Sequence, residues 1–392
     1  MPKFRPALAA AFALLAALAP AAHAKDTGGF VVELGADTTS VETYTRGGTH
    51  IEVEQVGRAP RVRRRHFEYD FDANGALQRF QMVVTQPGAP ADAPPLQVID
   101  GTCTADSIRF VARSGANEQV TRLALPAGSV VVASSSPWVM FEQAVMRLAR
   151  QKPDSLNLAL YYIGATEPGW VRMRRLGRDS VRVLTDHQDL FHMHVDRDGR
   201  ILAVRPLAGT GKFAAQRVAG LDVNAFAARW AAAEQAAGAM GALSTRDTVR
   251  VSAGGANLWI DYGRPAKRGR VVFGGVVPWG ELWRTGANAA TQFKTDRALD
   301  FGGASLPAGA YTLWTLPTKD GWKLLVNSQT GQWGTEHDAA KDVLTLPLTV
   351  TSLPEVVERF TIGVEAGADG GTLRLDWDTT RASVAFKVAP GQ

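Results

Sequence analysis

Apolar and polar residues alternate along most of the first half of the chain, from Phe30 to about Pro206. Phe67, Tyr69 and Phe71, for example, are separated by charged residues. A period of two places the apolar side chains on one face of a β-strand. The alternation therefore predicts an antiparallel β meander whose strands are half-buried.

A helical period interrupts these strands once. Phe141, Val145 and Leu148 fall on one helix face, Ser136 suits the N-cap, and Pro153 ends the segment. This pattern predicts a single helix laid across the meander.

A second helix is predicted from Asp222, which can cap it, to Met240. Phe226 and Trp230 recur at four-residue spacing, and many alanines favour the helical state. We interpret this segment as a connector, with the domain boundary near Gly241.

After Leu243 the apolar runs are short and separated by Gly/Pro turns, and seven of the ten tryptophans lie here. This sequence pattern predicts a β-sandwich of jelly-roll type. The predicted strands are 257–262, 309–316, 322–327, 343–351, 356–364, 372–376 and 383–388, with a turn at Asp378 to Arg381 between the last two. The predicted fold class is thus mainly β throughout.

The predicted organisation has four parts. Residues 1–24 form a signal peptide, 25–210 an antiparallel β-rich domain, 211–242 the helical connector and 243–392 the β-sandwich. The first part begins with Lys3 and Arg5, continues with the apolar run from Ala7 to Leu18, and ends at Ala22-His23-Ala24. Cleavage after Ala24 predicts a periplasmic or secreted protein, and no other stretch approaches the length of a membrane span.

Composition narrows the possible partners. The 392 residues carry a formal charge of +5, and Lys3 and Arg5 leave with the signal peptide. The remaining charge is too balanced for a nucleic-acid-binding protein. The single cysteine, Cys103, excludes an internal disulfide and a multi-cysteine metal site.

An ordered set of motifs in the second half resembles the bacterial family called domain of unknown function 2911, over about residues 243–390. The motifs are Asp261-Tyr262-Gly263-Arg264-Pro265, Gly269-Arg270, Phe273-Gly274, Val277-Pro278-Trp279-Gly280, Trp283-Arg284-Thr285-Gly286-Ala287-Asn288-Ala289-Ala290-Thr291, Leu306-Pro307-Ala308-Gly309-Ala310-Tyr311-Thr312-Leu313 and Gln332-Trp333-Gly334. The resemblance implies an exported β-rich domain with no agreed activity, and no catalytic residue is carried over from it.

Two motifs imitate known binding loops. Residues 70–75 match the first half of an EF-hand, but Gln81 occupies the position of the bidentate Glu, so a hairpin turn is predicted. Residues 209–212 imitate a phosphate-binding loop, but Pro206 and Phe213 stand where the motif needs Gly and Ser or Thr.

A metal site is conceivable at His187, His192 and His194. His192 and His194 are two residues apart, so both imidazoles leave the same strand face and could share a zinc ion. The alternative is that these histidines only occupy the solvent-facing side of the strand. No other cofactor is predicted.

A loop-like stretch in the second half concentrates arginine, tryptophan and amide side chains. The candidate ligand-binding residues are Arg264, Arg270, Trp279, Trp283, Arg284 and Asn288. Guanidinium groups bind carboxylate, sulfate or phosphate, and indoles stack on sugars. Arg284 is the predicted anchor, with Glu281 holding its guanidinium. The alternative is that Arg264 and Arg284 only brace the loop by bridging to Asp261 or Glu281.

Two classes of function remain open. The first is a non-catalytic binding or envelope protein for a glycan, cell-wall fragment or small anion. The second is a secreted hydrolase that acts on such material. The sequence contains neither Gly-x-Ser-x-Gly nor His-Glu-x-x-His, which favours the first class.

The export prediction is checked by mass spectrometry of the mature protein. We expect the chain to begin at Lys25. A different N-terminus would contradict cleavage after Ala24.

Overall fold

The computed structural model describes residues 25–90, 92–104, 106–124, 130–131, 137–151, 154–161 and 167–389. The predicted signal peptide, the predicted cap Ser136 and Pro153 lie outside these residues. The described part of the chain is mainly antiparallel β-structure with two α-helices, which confirms the predicted fold class. Neither helix is long and apolar enough to cross a membrane.

The first sheet contains fifteen described strands. They are β1 (Asp26–Leu34), β2 (Asp37–Gly47), β3 (His50–Gly57), β4 (Arg63–Phe71), β5 (Leu77–Thr85), β6 (Gln97–Cys103), β7 (Ser107–Ser114), β8 (Asn117–Ala124), β9 (Val130–Val131), β10 (Ser155–Tyr161), β11 (Gly169–Arg175), β12 (Ser180–Thr185), β13 (Leu190–Val195), β14 (Ile201–Ala208) and β15 (Ala214–Arg217). Sequence neighbours pair as an antiparallel meander in β1–β8 and again in β10–β15. The EF-hand-like segment is the predicted hairpin turn between β4 and β5.

Strand β15 joins the two meanders because it pairs with both β1 and β14. It lies within residues 211–242, which the sequence analysis assigns entirely to a helical connector, so that assignment is wrong for residues 214–217. A strand of four residues, Ala-Ala-Gln-Arg, is too short to display a period of two.

Helix α1 (Trp138–Gln151) lies against the buried face of the first sheet, where Val145 and Leu148 join its core as predicted. Helix α2 (Val223–Ala237) begins where expected, because the Asp222 carboxylate accepts hydrogen bonds from the amides of Asn224 and Ala225. Its buried residue Trp230 packs on the opposite face of the same sheet.

The second sheet contains nine described strands and the aromatic-rich core of the second half. They are β16 (Ser244–Ala253), β17 (Ala256–Pro265), β18 (Thr291–Thr295), β19 (Leu299–Asp300), β20 (Ser305–Leu306), β21 (Gly309–Pro317), β22 (Trp322–Asn327), β23 (Asp342–Ala366) and β24 (Gly370–Val388). A short 3-10 helix, Ala339–Lys341, precedes β23.

The predicted turn at Asp378 to Arg381 does not exist. These residues continue β24, which pairs with β23 along most of its length through two register shifts. Asp378 has a φ of 55° at the irregularity. A bulge bends a strand without ending it, which explains why a local turn signal was misleading here.

The carboxylate of Glu142 on α1 connects both meanders of the first sheet. One oxygen accepts hydrogen bonds from Tyr44 (3.0 Å) and Arg46 (2.6 Å), and the other accepts from the Ile201 amide (2.8 Å) and from Arg217. Glu142 is completely buried. Hydrogen-bond donors on strands β2, β14 and β15 therefore compensate its charge.

We expect Glu142→Ala to lower the free energy of unfolding by about 3–5 kcal/mol, because the partly buried guanidinium of Arg217 loses its carboxylate partner and buried Arg46 keeps only Asp26. Exposed Glu118 forms an ion pair of 3.0 Å with Arg113 and provides the control. Glu118→Ala should change stability by less than about 1 kcal/mol. Urea denaturation measures both, and equal losses would contradict the role of Glu142.

Candidate functional site

A cavity of about 600 Å³ lies between the two sheets, and residues from both halves of the chain form its wall. The first half contributes Glu42, Gln55 and Arg65, and the second contributes Trp283 and Arg284. A second cavity, of about 460 Å³, shares Arg284 with the first. Arg284 therefore lies where the two cavities adjoin.

The segment before Arg284 is fixed to the second sheet. Trp283 exchanges two backbone hydrogen bonds of 2.8 Å with Thr315 on β21. Its indole stacks on Trp377 with ring centroids 5.7 Å apart, and Nε1 donates to the Gly286 carbonyl. Neighbouring side chains on an extended segment diverge, so Arg284 leaves the core and enters the cavities.

The turn after Arg284 is also constrained. Thr285 has a φ of 52°, in the left-handed region that β-branched residues avoid. Its buried hydroxyl forms a 2.7 Å hydrogen bond with that of Thr315. This bond holds the turn in a conformation that the residue type alone disfavours.

Gly334 leaves the space through which the Arg284 side chain passes. A Cβ atom at residue 334 would lie 2.3 Å from Cδ of Arg284 and 2.3 Å from the carbonyl oxygen of Asn288. Any larger residue would displace the arginine or the backbone. Arg284 is thus positioned from both sides, by Trp283 and by Gly334.

The Arg284 side chain is half-buried, and its Nε atom is fully shielded from solvent. Its Nε has no hydrogen-bond partner, and no residue in the described ranges forms an ion pair with it. Glu281, the expected partner, is exposed and makes no such contact. Burial lowers the pKa of Arg284 to about 10, and Asp189 opposes this shift.

Lys212 adds a second cation beside Arg284. It lines both cavities. Burial and the charge of Arg284 lower the pKa of Lys212, whereas the charges of Asp189 and Glu281 oppose this shift. Within the part of the chain that the structure describes, no ion pair neutralises Lys212. Two partly desolvated cations therefore face the same space.

The loop that imitates a phosphate-binding motif carries Lys212 but is closed around an internal carboxylate. Asp189 accepts hydrogen bonds from the Gly211 amide (2.7 Å) and the Thr210 hydroxyl (3.1 Å). Gly209 has a φ of 93°, and a Cβ there would lie 2.5 Å from Cα of Asp189. The amides of Thr210 and Gly211 are thus occupied by Asp189 and are not available to a ligand.

A polar row crosses the cavity wall on the first sheet. Glu42, Gln55 and Arg65 are register partners on β2, β3 and β4. Gln55 donates to the Glu42 carboxyl over 3.2 Å, and the Trp138 amide donates to it over 2.6 Å. Burial raises the pKa of Glu42 to about 8, whereas burial and nearby Arg63 lower the pKa of Arg65.

The other candidate ligand-binding residues differ in whether they line a cavity. Arg264 lies outside both cavities and binds the Phe360 carbonyl, Asp247 and Thr361, so its partner is neither Asp261 nor Glu281. Arg270 lines the first cavity but donates to the carbonyls of Ala266 and Lys267. Asn288 lines the first cavity, and Trp279 lines neither.

The three candidate metal ligands do not converge. His187 stacks on Trp333 of the second domain, with ring centroids 5.3 Å apart. His192 lies between its cross-strand partners Arg182 and Arg205, whose charges disfavour a cation. Among the described residues, no group of three histidine, cysteine or acidic side chains could hold a metal ion.

The residues that build the turn around Arg284 belong to the motifs that carried the family resemblance. Residues 244–386 match the family described as Protein of unknown function (DUF2911). This DUF2911 segment contributes Trp283, Arg284 and Gly334, and the preceding residues contribute the other wall of the cavity.

Two solved structures are similar to part of the chain. One is a DUF1089 family protein from Pseudomonas aeruginosa, with 15% identity, a TM-score of 0.30, and coverage of 46% of this chain and 93% of that one. The other is a β-barrel-like protein of domain of unknown function DUF1849 from Brucella abortus, with 12% identity, a TM-score of 0.31, and coverage of 49% and 93%. No curated protein matches the sequence.

Sequence reasoning missed Glu42, Arg65 and Lys212, all of which lie outside the DUF2911 segment. One signal was available for Arg65. It is in phase with buried Phe67 and Tyr69 on β4, so an arginine occupies the apolar face of a predicted strand.

The raised pKa of Glu42 predicts a pH-dependent stability. The unfolded carboxyl ionises near its ordinary value of 4.5, whereas the folded one stays protonated up to about pH 8. Its stabilising contribution is therefore complete below pH 4.5 and is lost as the pH rises towards 8.

Glu42→Gln should remove this dependence while keeping an acceptor for the Trp138 amide. As the pH rises from 5 to 8, we expect the free energy of unfolding of the variant to increase by more than about 1 kcal/mol relative to that of the wild type. Urea unfolding at each pH measures this difference. Exposed Glu118→Gln is the control. A pH-independent difference would contradict the protonated state of Glu42.

Proposed function

We propose that the protein acts after export, in the periplasm or outside the cell, as a non-catalytic binding protein for a small anion. The ligand occupies the cavity between the two domains, with its anionic group on Arg284 and Lys212. The observation that supports this proposal is the half-buried guanidinium of Arg284, whose Nε has no hydrogen-bond partner and which forms no ion pair with any described residue. The N-terminal sequence supports the export.

A buried charge without a partner destabilises a folded protein, whereas a paired one is tolerated. Arg264 shows the paired case, with an ion pair of 3.0 Å to Asp247. Arg284 lacks such a pair but lines two cavities large enough for a ligand. An anion that accepts two hydrogen bonds from the guanidinium would supply the missing charge.

The aromatic residues favour an anion over a glycan. Sugar recognition by tryptophan needs an open indole face. Trp283 and Trp377 line the cavity but stack on each other, and both are more than nine-tenths buried. Trp279 is exposed but lies outside the cavity lining. Charge is therefore the stronger recognition element of this site.

Arg284→Met separates binding from a structural role. Removing an unpaired, half-buried charge should leave the ligand-free protein at least as stable as the wild type, with an equal or higher Tm. Inorganic phosphate at constant ionic strength should raise the Tm of the wild type and leave that of the variant unchanged. Thermal unfolding and titration calorimetry measure the two effects.

Exposed Arg297, in the same domain and outside both cavity linings, provides the matched control. Arg297→Met should retain the phosphate-dependent rise in Tm. A clear loss of stability in Arg284→Met without phosphate, or an unchanged phosphate response, would overturn the proposal.

A further inference from the structure

Arg65 is a third, half-buried cation on the wall of the same cavity, contributed by the first sheet. It lies on β4, whereas Arg284 lies in the segment between β17 and β18. No ion pair or hydrogen bond to the Arg65 guanidinium is found within the described ranges of the chain. Its neighbour Arg63 differs, because it donates to Gln86 (2.6 Å) and to the Val62 carbonyl (2.8 Å).

The acidic group on the same row does not serve as its counterion. Gln55 lies between Glu42 and Arg65 in the strand register. The Glu42 carboxyl accepts hydrogen bonds from the Gln55 side chain and from the amide of Trp138. Its raised pKa keeps this carboxyl protonated at neutral pH. The positive charge of Arg65 is therefore not cancelled by the wall around it.

We infer that the cavity takes a ligand with two anionic groups, one on Arg284 and Lys212 and the other on Arg65, so that the ligand spans both domains. This inference rests on the proposed function and extends it to a substrate class. Two separate cationic positions on the wall of one cavity match a ligand with two anionic groups better than a ligand with one.

The body of this ligand is apolar. Apart from the charged residues and the polar row, most of the wall consists of aliphatic and aromatic side chains. These include Val32, Leu34, Phe141, Phe213 and Val276. The volume of about 600 Å³ lies within the range of cavities that bury small organic ligands. An α,ω-dicarboxylate with an alkyl chain has the required chemistry.

The test compares dicarboxylates of four to ten carbons with monocarboxylates of the same chain length by calorimetry at constant ionic strength. We expect the best dicarboxylate to bind at least tenfold more tightly than its matched monocarboxylate. Arg65→Met should reduce dicarboxylate affinity to the monocarboxylate level and leave phosphate binding unchanged. Arg284→Met should weaken every anion.

Exposed Arg109 lies on β7 and outside the cavity lining, so Arg109→Met is the control and should bind like the wild type. If Arg65→Met does not fold, Arg65→Gln provides the same comparison. If phosphate binding depends on Arg284 but dicarboxylates gain nothing over monocarboxylates, or Arg65 variants lose nothing, the two-anion inference is overturned and the proposed function stands. If no anion binds, both are overturned.

Discussion

The carboxylate of Glu142 is the constraint on which the first domain depends. It bonds to β2 through one oxygen and to β14 and β15 through the other, so a single side chain fixes α1 relative to both meanders. The position of α1 in turn places the amide of Trp138 against Glu42. The wall of the cavity thus depends on the ion network of Glu142, which lies about one turn further along the same helix.

Much of the fold was predictable because its signals are local. Alternation identifies the strands of the first sheet, and Asp222 identifies the start of α2. The errors arose where the deciding interaction is distant in sequence. Strand β15 forms because β1 and β14 both offer it a strand edge for backbone hydrogen bonding. Strand β24 continues through Asp378 because its pairing with β23 accommodates an irregularity there.

The candidate site was only partly predictable for the same reason. The sequence identifies Arg284 and Arg264 as similar arginines in one loop-rich stretch. The structure separates them, since Arg264 reaches Asp247 and two neighbours on β23, whereas Arg284 has no such partner among the described residues. Whether an arginine is paired depends on tertiary neighbours. The formal charge of +5 is equally uninformative, because it counts exposed and buried cations alike.

The contact between Gly334 and Arg284 links two motifs that are about fifty residues apart in the sequence. The glycine is needed because the aliphatic part of the arginine crosses the backbone at residue 334. A shorter side chain at residue 284 would remove only one of the two close contacts, because the carbonyl oxygen of Asn288 would still exclude a Cβ atom at residue 334. Among related sequences, the glycine should therefore persist even where the arginine is replaced.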